Sequence, residues 1–149
     1  MIQLPEDWLI SQFDGCLTRG SIIRFKPEDL QYRKFQGQPK FAVVLNASLP
    51  APEIHYIFST SQTAFYDKHA QFEPAIIRVP ANTYDCFPLD TIFPFSEVFS
   101  IPVEKLHKQY VDGHLEFCGT LNTEHLERMN AIIKIGLFIA PRLRSYLTV

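Results

Sequence analysis

Phe41-Ala42-Val43-Val44-Leu45 is an unbroken apolar run, closed downstream by Asn46 and Pro50. Its length and paired valines suit a central strand better than a helix, which needs roughly ten residues or more. Outward from it, Gly20-Ser21-Ile22-Ile23-Arg24-Phe25-Lys26 reads as a strand stopped by Pro27, and Ile54-His55-Tyr56-Ile57-Phe58-Ser59-Thr60 as a third, alternating and rich in β-branched and aromatic residues. Residues 75–79 form a fourth strand ended by Pro80, and residues 97–101 a fifth after Pro-rich turns at Pro88 and Pro94. His114-Leu115-Glu116-Phe117-Cys118-Gly119 gives a sixth behind the Asp112-Gly113 turn. Residues 28–39 lack usable periodicity and read as a long basic loop; residues 61–74 read as a polar excursion centred on Asp67, Lys68 and His69.

Helices are expected at both ends and once between. Pro5, Glu6 and Asp7 suit a helix start, with Trp8, Leu9 and Phe13 able to share a face as far as Asp14-Gly15. Pro102 opens a short helix to about Tyr110. Asn122 is a good N-cap, and Leu121 and Leu126 stand at staple positions. Leu126, Met129, Ile133, Leu137 and Ala140 continue a stripe to Pro141, widened by Ile132, Ile135 and Ile139. Such breadth fits a helix buried in its own core or one that also meets a second copy. The whole predicts a mainly β protein, a small, strongly curved β-barrel with peripheral helices. It forms one domain over 1–149, with 1–18 a helical extension and 20–140 the barrel and last helix.

Composition agrees. The chain has 149 residues, 46% apolar and 20% charged, enough hydrophobe for a core and too little charge for disorder. Thirteen Phe and eleven Pro against six Gly exclude a bundle of long helices and favour short elements round an aromatic core. The apolar stretch 135–140 falls far short of the ~20 residues of a membrane span. Glu6 and Asp7 precede any apolar run, which argues against a secretory leader. Cys16, Cys86 and Cys118 lack metal spacing and read as buried free thiols, so a cytoplasmic protein is expected.

The net charge of −2 is unevenly spread. Arg19, Arg24, Lys26, Arg33, Lys34 and Lys40 crowd into residues 19–40 against Glu28 and Asp29 alone, leaving the remainder acidic. No Gly-rich phosphate loop of the P-loop or dinucleotide type occurs, and no Gly-x-Ser-x-Gly elbow. His55, His69, His107, His114 and His125 never fall at metal-ligand spacings, so neither a metal nor a cofactor is expected. His107 and His125 read as surface residues of their helices; His55 and His69 flank the polar excursion.

The order of segments resembles the MazF/PemK-type toxins of toxin–antitoxin systems. Residues 20–25, a basic loop, Gly37-Gln38-Pro39-Lys40-Phe41-Ala42-Val43-Val44-Leu45, then Ile57-Phe58-Ser59-Thr60-Ser61-Gln62 carry the likeness. Leu89-Asp90-Thr91-Ile92 and Gly119-Thr120-Leu121-Asn122-Thr123-Glu124-His125-Leu126, leading into the final helix, extend it. It covers about residues 20–62 and 89–137 and leaves out the N-terminal helix and the long segment 63–88. It implies an SH3-like barrel that dimerises, is held inactive by a small antitoxin protein, and cleaves single-stranded RNA sequence-selectively without a metal. The family's Arg entering the second strand is here Lys40, a point cation without a planar fork.

The resemblance implies catalytic roles for Lys40, facing the phosphoryl oxygens, and Thr60, donating a hydrogen bond to the same phosphate. Arg24, Arg33, Lys34, Ser59, Ser61 and His69 are the expected substrate contacts, with Arg33 or Lys34 closing over the backbone. By chemistry alone, His69 and Asp67 are candidates for proton transfer, and Tyr32, Phe35 and Tyr66 for base stacking. The alternatives are a non-catalytic barrel that binds RNA or a protein partner, and a structural subunit working through its last helix.

Overall fold

A computed structural model describes residues 4–27 and 38–149. Its elements are α1 Glu6–Cys16, β1 Ser21–Phe25, β2 Lys40–Val44, β3 Glu53–Phe58, α2 Thr63–Lys68, a 3-10 turn Ala70–Ala75, β4 Ile76–Val79, β5 Thr91–Pro94, β6 Phe99–Pro102, α3 Val103–Val111, β7 Glu116–Thr120 and α4 Thr123–Ile135; a 3-10 turn Pro141–Leu143 and α5 Arg144–Leu147 complete it. No described helix is long and apolar enough to cross a membrane.

Five strands pair antiparallel in the order β6-β3-β2-β1-β7, and β4 and β5 form a separate hairpin. Side-chain alternation splits the large sheet's residues between two cores. Ile22, Val43, Leu45 and Ile57 pack with the hairpin (Ile77, Val79, Phe93) and with Met129, Ile132 and Ile133 of α4. Ile23, Phe25, Ala42, Val44, Ile54 and Tyr56 pack with Phe13 of α1 and Leu106 of α3. A sheet covered on both faces needs apolar side chains pointing both ways, which explains the continuous run at 41–45.

The architecture is therefore mixed α and β, and the expected closed barrel is corrected. Among the described residues β6 and β7 are the outer strands, and the hairpin packs on the large sheet but is joined to it by backbone hydrogen bonds only through the Thr60↔Ile92 bridge. Helices on one face and the hairpin with α4 on the other bury the sheet without closure.

Three local expectations also change. β5 lies where turns were expected. Thr91, Ile92 and Phe93 are buried against the core, and Pro94 is tolerated at the strand's end. Second, α4 stops at Ile135, not near Ala140. Gly136 adopts φ 65°, and a side chain there would collide with the Arg144 guanidinium at 2.6 Å. Leu137 consequently leaves the helix and is 58% exposed. Third, His125 is buried and meets the Tyr84 hydroxyl at 2.6 Å, and His107 is half-buried, 2.7 Å from Asp14. Asn122 caps α4 as expected, its Oδ1 accepting from the His125 amide at 2.8 Å.

Burial holds His125 and His55 below the ordinary histidine pKa, Glu124 and Glu53 opposing in turn. Above the unfolded value of about 6.5 both states are neutral. Below it the unfolded chain takes up protons that the folded protein resists, so stability falls as pH drops from about 6.5 toward the depressed folded values. Urea unfolding at about pH 5.5 is expected to show a lower midpoint than at about pH 7.5. An equal or higher midpoint at the acidic pH would contradict this.

Candidate functional site

Phe41 and Ser59 extend the β2–β3 ladder by one bond, the Ser59 amide donating to the Phe41 carbonyl at 3.0 Å. Thr60 then turns away and exchanges both backbone bonds with Ile92, at 3.0 and 2.8 Å. Its Oγ1 accepts the Gln62 amide at 3.1 Å, fixing the turn that leads into α2 and leaving the hydroxyl proton free to donate elsewhere. These turns surround a cavity of about 310 Å³. Lys40, Ser59, Thr60 and Ser61 line one side, and Cys86, Phe87, Leu89 and Thr91 the other. Lys40 is the first residue of β2, opposite Phe25. Strand alternation sets it on the face of Ala42 and Val44, across from Phe41, and both Lys40 and Phe41 line the cavity.

The structure thus brings together four of the expected site residues and separates others. Arg24 is held toward β7, 3.8 Å from Glu116, and does not line the cavity. His69 ends α2, its ring stacked on Phe65 at 4.2 Å and its Nδ1 2.6 Å from the Phe65 carbonyl. Asp67 pairs with Arg78 at 2.9 Å and lines a neighbouring cavity with Asp90 and Thr91. Tyr66 is half-buried, in edge contact with Phe65 and Phe72 and with Ser96 as a hydrogen-bond partner, and burial raises its phenol pKa. Arg33, Lys34, Tyr32 and Phe35 lie outside the described residues.

The basic cluster is less uniform than its charge count suggests. Arg19 serves the fold, its guanidinium donating to the Leu45 carbonyl and to Asn130 Oδ1. The Gln109 side chain meets both backbone groups of Lys26, at 3.0 and 2.6 Å, fixing the end of β1.

In the wall at 86–91, Leu89 to Thr91 belong to the stretch that extends the resemblance, but nothing in the sequence marked Cys86 and Phe87 as site residues; the Thr60–Ile92 pairing and the Phe41–Phe87 ring contact at 5.1 Å bring the segment there. It includes a thiol. Cys86 and Cys118 interact and are half-buried, and burial raises both, Cys118 to about 11. Such thiols are protonated near neutral pH and are poor nucleophiles. Cys16, expected to be buried, is exposed near the end of α1. Among the described residues no group of three or more His, Cys, Asp or Glu could hold a metal ion.

Set against known proteins, the chain matches no family model and no curated protein.

Proposed function

We propose that the chain is a metal-independent, sequence-selective endoribonuclease of the MazF/PemK toxin type, an opened variant of the SH3-like barrel acting on single-stranded RNA. The observation that supports this is one cavity edged by a cation, Lys40, and three consecutive hydroxyls, Ser59, Thr60 and Ser61. A phosphodiester needs that combination: positive charge toward its non-bridging oxygens and donors to hold its orientation. In the reaction the ribose 2′-oxygen attacks the adjacent phosphorus, the bond to the 5′-oxygen breaks, and a 2′,3′-cyclic phosphate remains. The proton lost from the 2′-hydroxyl is balanced by one delivered to the departing oxygen. Lys40 stabilises the charge that builds on the phosphoryl oxygens, and the Thr60 hydroxyl donates to the same group. DNA is excluded because it lacks the nucleophile. The same reading assigns the protein a homodimeric, cytoplasmic existence under the control of a small antitoxin protein.

One observation favours a second reading. Among the described residues lining the cavity there is neither imidazole nor carboxylate to move a proton. A barrel of this descent that binds RNA or a protein partner without cleaving would need only the cation and the hydroxyls.

Incubating the purified protein with unstructured RNAs in EDTA separates the two. Cleavage is expected, with fragments ending in cyclic phosphate. Intact RNA bound with an affinity that falls steeply as salt rises would favour the non-catalytic RNA binder. Intact RNA with no binding at low salt would overturn both RNA readings and leave the protein partner.

A further inference from the structure

At the opposite end of β3 from Thr60, the connection between β2 and β3 and the last residues of the chain enclose a larger cavity, about 730 Å³. Its size falls within the range of roughly 300–1,000 Å³ common to small-molecule sites. His55 lines it and is only 4% exposed. The ring's Nδ1 lies 2.7 Å from Ser100 Oγ, and its face rests against Tyr146 with centroids 5.4 Å apart. The walls are tied to one another, the Ala47 amide donating to the Tyr146 carbonyl at 2.8 Å.

Two features of this cavity point to a ligand. The first is His55 Nε2, which has no hydrogen-bond partner among the described residues. No fully buried polar side-chain atom there lacks a partner, so Nε2 keeps contact with the cavity space. The second is the pair of opposite charges, Glu53 and Arg142, that line the same cavity. Neither side chain makes an ion pair or a hydrogen bond with a described residue, and they do not join each other. A simple anion would meet Glu53 as well as Arg142, and a simple cation the reverse. A molecule carrying both charges satisfies the two together through charge-assisted bonds.

We propose that this cavity binds a small zwitterion, an α-amino acid or a di- or tripeptide, with its ammonium toward Glu53, its carboxylate toward Arg142 and a polar group on Nε2 of His55. The neutral imidazole held there by burial serves as acceptor or donor according to which proton Ser100 leaves it. The site is independent of the RNA reading, sharing no residue with the Lys40 cavity.

The test follows the imidazole nitrogens of His55 by NMR in the full chain, titrated separately with alanine, dialanine and trialanine, and with acetate and methylammonium as single-charge controls. At least one zwitterion is expected to move the His55 signals saturably at millimolar concentration, and which one responds distinguishes amino acid from peptide. Arg142→Ala and Glu53→Gln, both at exposed positions, are each expected to weaken binding about tenfold or more, as loss of one charge-assisted bond would. No saturable shift up to about 10 mM with any zwitterion, an equal response to acetate or methylammonium, or unchanged affinity in both variants would overturn the proposal.

Discussion

Replacing Lys40 with alanine is expected to slow cleavage of single-stranded RNA about a hundred- to a thousandfold, the usual effect of deleting one positioned charge-stabilising donor. The residue lines the cavity, half-buried at the start of a strand, so the melting temperature is expected to move little. Lys40→Arg is the informative companion. A guanidinium presents two parallel donors to a phosphate where an ammonium presents a point charge. If the cation stabilises the transition state, Arg retains or raises kcat/KM, whereas Met at the same position behaves like Ala. Initial rates on a fluorogenic RNA in EDTA, read as kcat/KM, decide the matter. Equal rates for wild type and Lys40→Ala would remove the cation from the chemistry, whatever the cavity's shape.

Phe13→Ala is expected to destabilise the protein by about 3–5 kcal/mol, measured as a fall in the urea midpoint at unchanged slope. Phe13 is fully buried. Its ring meets His107 edge-on at 5.2 Å and lies 5.5 Å from both Tyr110 and Phe117, so one side chain joins α1 to α3 and to β7. The first helix reads from sequence as an extension outside the barrel, yet it covers one face of the central sheet. A loss below about 1 kcal/mol would show α1 to be the appendage its position in the chain suggests.

What was legible in the sequence is what local chemistry decides. The run at 41–45, the Pro stops after Phe25 and Val79, and the Asn122 cap each depend on residues a few positions apart, and each lies where expected. What was not legible depends on distant partners. Ile135-Gly136-Leu137 continues a helical stripe on paper, and it breaks at Gly136, which takes the left-handed conformation and whose carbonyl accepts from the Arg144 guanidinium at 3.2 Å. His125 reads as a surface residue until Tyr84, far away in the chain, arrives to bond it. Thr91-Ile92-Phe93-Pro94 is disguised by its proline and is a strand only because β4 and Thr60 supply partners. The same reasoning applies to the candidate site. Lys40 and Thr60 are suggested by the order of motifs and do share a cavity, whereas Cys86 and Phe87 join its lining through tertiary contacts that no local pattern announces. His69, attractive for its chemistry, is already occupied by Phe65.

The bond pair between Thr60 and Ile92 moors the hydroxyl-bearing turn to the small hairpin, while Lys40 is anchored across from Phe25 in the large sheet. Ser59 is held by the same β2–β3 ladder as Lys40, whereas Thr60 is tied to the hairpin through Ile92. A shift of the hairpin is therefore felt first by the Thr60 hydroxyl, with Lys40 and Ser59 left in their ladder. Packing changes on β4, whose residues Ile76 and Ile77 stay out of that cavity, can therefore adjust its grip from behind.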